Sequence, residues 1–168
     1  MVLTKNELIA SLQNEARILL HLASKIEPNM VDYRPTPKQR STIELLRYLA
    51  LVGPMSIKNT MSGGAFDREA WEAANAELAN ADLNRVVSVI ATHPTRYAEL
   101  LEPCSDEDFR VEVDGMDGKT SRGAAIVNFA LCGYAAYRTQ LFLYLKACGR
   151  EELNTMNLWA GTDAAMAT

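Results

Sequence analysis

A chain of 168 residues is long enough to bury a self-supporting core, and its net charge of −4 with mixed signs lacks the basic stripe of a nucleic-acid binder. No apolar run reaches the roughly 18 residues of a membrane span, and the N-terminus turns polar at Lys5-Asn6-Glu7 instead of following the layout of a signal peptide. The expectation is one soluble cytoplasmic domain over 1–168, with neither nucleic acid nor membrane as partner. The three cysteines, Cys104, Cys132 and Cys148, form no Cys-x-x-Cys pair. On a shared helix Cys132 and Cys148 stand about 24 Å apart, so reduced thiols are expected.

Thr4-Lys5-Asn6-Glu7 has the form of a capping box, and Leu8, Leu12, Leu19, Leu22 and Ile26 then recur at helical steps up to Pro28. His21 falls with Asn14, Arg17 and Lys25 on the opposite, solvated face. Glu15 lies on the apolar register, where it either reaches water at the edge of the stripe or lines an internal polar pocket. Met30 to Gln39 reads as an extended connection. Ser41-Thr42-Ile43-Glu44 repeats the capping box and opens a second helix with Leu45, Leu46, Leu49 and Val52 inward, which Gly53-Pro54 is expected to stop.

Residues Met55 to Phe66 then form a long loop. Its Ser62-Gly63-Gly64 lacks the downstream Lys and the strand-to-helix setting of a phosphate cradle. Asp67 caps an Ala- and Glu-rich helix, and the apolar face of Leu83, Val86, Val87 and Ile90 runs on to Tyr97, Leu100 and Leu101, with a kink or a junction at Pro94. His93 shares that inward face and is read as a hydrogen-bonded core residue, with metal ligation as the alternative. Alternation over Phe109 to Val113, with a turn at Asp117-Gly118, predicts a short β-hairpin. Thr120 or Ser121 caps the last helix and Gly149 closes it, and Leu153, Met156, Leu158 and Trp159 pack back before an Ala-rich end.

The segment Tyr137-Arg138-Thr139-Gln140, followed by Leu141, Leu145 and Gly149, resembles the last bundle helix of the DinB/YfiT-like superfamily. That helix usually reads His-x-x-x-His-Arg-Gly-Gln before an apolar run ending in Leu-x-x-x-Gly. The stretch from Ser41 to Leu49 resembles the family's second helix, in which a metal-binding His follows the Ser by seven residues. The resemblance implies an all-α, four-helix-bundle fold with long connections and the short β-hairpin before the last helix.

It also implies where a metal would sit in relatives that act as thiol-dependent transferases, isomerases or hydrolases. Two His one turn apart share a helical face and converge on an ion with a third from a facing helix. Carried onto this chain, the ligand positions are Tyr48, Gly133 and Tyr137. Glycine offers no donor and a phenol is an uncommon ligand, so no metal and no other cofactor is expected.

Ala130, Gly133, Tyr134, Tyr137, Leu141 and Tyr144 follow helical spacing and place a tyrosine-rich face, notched at Gly133, opposite Tyr48. Either the phenols fill the space as ordinary core, or they border a small amphipathic pocket for an apolar ligand bearing one polar group. Three functions follow: a metal-free small-molecule-binding or regulatory protein, a metal-dependent thiol transferase or hydrolase using displaced ligands such as Glu15 and His93, or a homodimeric interaction protein.

Overall fold

A computed structural model describes residues 3–163. Helices α1 (Lys5–Ala23), α2 (Thr42–Met61), α3 (Arg68–Leu78), α4 (Leu83–Ala91) and α5 (His93–Leu101) precede an antiparallel hairpin of β1 (Glu112–Gly115) and β2 (Gly118–Ser121). The last rod comprises α6 (Arg122–Ile126), a π-helical turn at Val127–Leu131 and α7 (Cys132–Ala147). The bundle is built from α1, α2, the α4–α5 pair and the α6–α7 rod. Among the described residues no helix is long and apolar enough to cross a membrane.

Local signals set most helix ends. Thr4 with Glu7, and Ser41 with Glu44, form reciprocal capping boxes. Asp67, Asp82 and Ser121 cap α3, α4 and α6 through their side chains. Gly149 follows α7 with a φ of 99°, a conformation that favours glycine. The hairpin pairs Gly115 with Gly118, leaving Met116-Asp117 as its two-residue turn. Its first strand begins later than the alternation suggests, because Asp108–Arg110 winds into a 3-10 turn.

The second helix departs from the sequence reading. Gly53-Pro54 does not stop it; α2 runs on to Met61, and the loop before α3 covers only 62–67. Proline removes the N–H that would bond the carbonyl four residues earlier, here that of Ala50, and an orphaned buried carbonyl is costly. His93 supplies the missing donor: its Nε2 lies 3.0 Å from the Ala50 oxygen. The Tyr134 hydroxyl reaches the neighbouring Leu49 carbonyl at 2.9 Å. With those partners the helix continues, burying Ile57 and Thr60 in its second half.

Gly53 is needed for the same construction. A Cβ there would meet the Tyr97 hydroxyl at 2.3 Å and Tyr134 Cε2 at 2.6 Å. The two tyrosines belong to different halves of the interior. Tyr134 packs with Leu19, Leu46, Leu49 and Leu141, while Tyr97 packs with Leu8, Leu12, Ile57 and Leu101. Their rings meet edge to face at 6.3 Å beside Gly53, so this crossing joins the two apolar clusters.

The C-terminal segment covers the face of α1 that its sequence pattern assigns to solvent. His21 is only partly exposed: Asn157 donates to its Nε2 at 3.1 Å, and Asp163 sits 2.7 Å from Lys25. Arg17 donates to the carbonyls of Ala160 and Gly161. Within that segment Leu153 and Asn157 are buried, whereas Met156 and Trp159 are exposed, contrary to the expected inward packing. A π-helical turn at Met156–Ala160 sets this pattern, turning the polar Asn157 inward toward His21. The Ala-rich end, 164–168, lies outside the described residues.

Substituting Gly53→Ala is expected to destabilise the protein by about 2 kcal/mol through overpacking. The sign is opposite to the gain of about 1 kcal/mol that the same change brings in an ordinary helix interior. Urea unfolding followed by circular dichroism measures the difference.

Candidate functional site

Tyr48 projects from the middle of α2 and Tyr137 from the middle of α7, and their rings meet edge to face with centroids 4.8 Å apart. Trp71 of α3 adds an edge contact to Tyr48 at 5.7 Å, and the Arg40 guanidinium stands 4.1 Å over the Tyr48 ring. Burial, reinforced by the neighbouring Tyr137 phenol, pushes the Tyr48 hydroxyl up to about 12, so it is neutral at physiological pH. Gly133 lies one turn before Tyr137. A Cβ built on it meets nothing within 4 Å, so packing does not demand a glycine there.

Tyr134 does not join this pair. It is fully buried on a different side of α7 and points at His93, whose Nδ1 its hydroxyl contacts closely. A carbonyl can only accept, so the bond to Ala50 fixes the proton on His93 Nε2 and leaves Nδ1 with a lone pair facing the hydroxyls of Tyr97, at 3.4 Å, and Tyr134, whose one proton goes to the Leu49 carbonyl. Burial lowers the imidazole from 6.5 to about 4, only partly offset by the Ala50 bond, and the same burial raises both phenols. This is a neutral hydrogen-bonded cluster within the core.

Glu15 is partly buried, and its carboxylate is engaged by α7, not by His93. Arg138 of α7, itself buried, donates from Nε to its carboxylate at 2.7 Å and from Nη2 at 3.2 Å, and also donates to the Leu158 carbonyl. The Arg of the resembling motif therefore clamps α7 to α1 and to the C-terminal segment. Gln140 donates to the Tyr144 hydroxyl, which in turn donates to the Arg40 carbonyl at 3.0 Å. Both motif residues thus have packing roles. Among the described residues no group of three or more His, Cys, Asp or Glu side chains is placed to hold a metal ion.

The cavity beside Tyr48 holds about 410 Å³. One wall is the α2 stripe of Tyr48, Val52, Ser56, Asn59 and Thr60; the others are Gly64 and Phe66, the hairpin at Asp114 to Met116, and Phe129 from the π-helical turn. The loop wall is pinned to the hairpin, since Asp114 donates its backbone N–H to the Gly63 carbonyl at 3.1 Å. Gly64, with a φ of 96°, lies so close that a Cβ would sit 2.2 Å from the Asp114 oxygen. Ser62-Gly63-Gly64 is therefore a backbone seam. Sequence reasoning missed Ser56, Asn59, Thr60 and Phe129. The helical spacing from Tyr48 to Thr60 is legible only once α2 is known to continue past Pro54.

Together these elements define a helical bundle of the DinB-like fold, with a hairpin ahead of its last helix. No protein-family model matches the sequence, and no curated protein does. Among solved structures the chain is similar to YjoA, a DinB-like protein from Bacillus subtilis, with a TM-score of 0.65 and 18% identity over 88% of this chain and 94% of that one.

The neutral, buried His93 gives stability a definite pH dependence. The unfolded imidazole titrates near 6.5 and the folded one near 4, so between these values the unfolded chain binds the extra proton. Unfolding free energy therefore falls as pH drops through that window, by about 3 kcal/mol in all. Urea unfolding at about pH 7 and about pH 4.5 is expected to show most of this loss, about 2.5 kcal/mol. His93→Gln, which keeps an N–H for Ala50 but cannot titrate, is expected to show less of it.

Proposed function

We propose that this protein binds a small molecule without a metal, in the cavity bordered by Tyr48, the second half of α2, the hairpin and Phe129. The observation that carries the reading is the cavity itself. Its 410 Å³ is within the usual range for small-molecule sites, and it combines aromatic and aliphatic walls with a few polar side chains.

A metal in the manner of the DinB/YfiT-like relatives does not suit the residues present. Tyr48 holds its proton to about 12 and packs its ring against Tyr137, while Gly133 has no donor atom. Zinc, nickel or iron would need a deprotonated or neutral-nitrogen ligand at each position. Nor do the displaced candidates converge: Glu15 is committed to Arg138 and His93 to Ala50. What the fold retains at this position is a rigid aromatic wall, suited to orienting an organic ligand rather than activating water.

Elemental analysis of untagged protein is expected to find far less than one equivalent of zinc, nickel or iron. The triple variant Tyr48→His, Gly133→His, Tyr137→His is expected to take up one equivalent of zinc, because the space beside Gly133 is open. Stoichiometric metal in the wild type, removed by chelator and lost in His93→Ala, would contradict the metal-free reading. A thermal-shift screen is expected to yield small-molecule hits that disappear in the cavity-filling variant Ser56→Phe.

A further inference from the structure

We infer that the ligand of this cavity is an uncharged, planar aromatic molecule carrying one hydrogen-bonding group, an inference that rests on the small-molecule reading above. Three rings border the space, Tyr48, Phe66 and Phe129, and an aromatic ligand gains edge or offset-stacked contacts on such walls beyond simple area burial. Two apolar side chains at the rim are left open to solvent, Phe66 at 59% and Met116 at 84% exposure. A flat apolar molecule entering between them removes that surface from water. Ser56 and Asn59 lie along the α2 wall and supply hydroxyl and amide groups for one polar substituent.

Charge sets the rest of the class. Among the described residues no Lys, Arg or His lines the cavity. Its only acidic residue, Asp114, is ion-paired with Lys119 at 2.6 Å on the hairpin. Arg40 and Arg47 border a separate hollow that shares Tyr48 with this one. There Arg47 is engaged with the Ala81 carbonyl at 2.6 Å. A carboxylate or phosphate entering the Tyr48 cavity would meet no cationic side chain among its lining residues, and an ammonium would meet only an aspartate already paired with Lys119.

Isothermal titration of the full chain with three size-matched probes tests this: indole-3-acetamide, indole-3-acetate and tryptamine. The amide is expected to bind tightest, with the acetate at least tenfold weaker and the amine weaker than the amide. Phe66→Ala, an exposed position whose loss should leave folding intact, is expected to weaken the amide about fivefold. Ser56→Phe should abolish its binding. If the acetate or the amine equals or exceeds the amide, and that binding is lost in Ser56→Phe, the uncharged class is overturned while the cavity reading stands. If none of the three binds and the thermal-shift screen also gives no hit sensitive to Ser56→Phe, both fail together.

Discussion

The bond from His93 to the Ala50 carbonyl is the contact on which the architecture turns. A proline in the middle of α2 leaves that carbonyl without its helical donor, and a buried carbonyl left unpaired costs on the order of 1–3 kcal/mol. The compensating donor comes from 43 residues further along the chain, at the start of α5. With it in place, α2 extends past Pro54, Ile57 and Thr60 enter the core, and the second half of the helix becomes a cavity wall. Gly53 and Pro54, which separately read as helix breakers, act as one device. The proline exposes a carbonyl, and the glycine makes room for the two tyrosines that surround the histidine answering it.

The same contact explains what was legible in the sequence. Features specified within a few residues could be read directly: the two capping boxes, the Asp67 cap, the hairpin, and the stop at Gly149. Features decided by a partner distant in sequence could not. The end of α2 at Gly53-Pro54 is the sound local inference, and it is overridden by a histidine that local patterning cannot place. His21 falls on the solvated face for a similar reason, and the register of Glu15 alone leaves its surroundings open. Helical periodicity shows which face of α1 is polar, but not that the 153–163 segment covers it, nor that Arg138 meets Glu15 on the apolar register. The Tyr48–Tyr137 pairing was legible through the motif frame, whereas the cavity beyond it depended on the unseen half of α2.

Arg138 and Gln140 separate fold from chemistry. Residues that accompany ligand histidines in the resembling helix keep clear packing tasks here: Arg138 joins three parts of the chain, and Gln140 supports the Tyr144 bond to the connection ahead of α2. The energetic role of these two residues does not pass through Tyr48, Gly133 or Tyr137. Tyr48 and Tyr137 meet ring to ring at this place, and burial keeps the Tyr48 hydroxyl protonated through the physiological range.

The protonation pattern of His93 tests this construction most directly. Nitrogen-15 chemical shifts of the imidazole at about pH 6 are expected to show a neutral ring protonated on Nε2, with Nδ1 as the acceptor. A ring protonated on Nδ1, or a cationic ring at that pH, would contradict it, since the first cannot donate to Ala50 and the second has no lone pair at Nδ1.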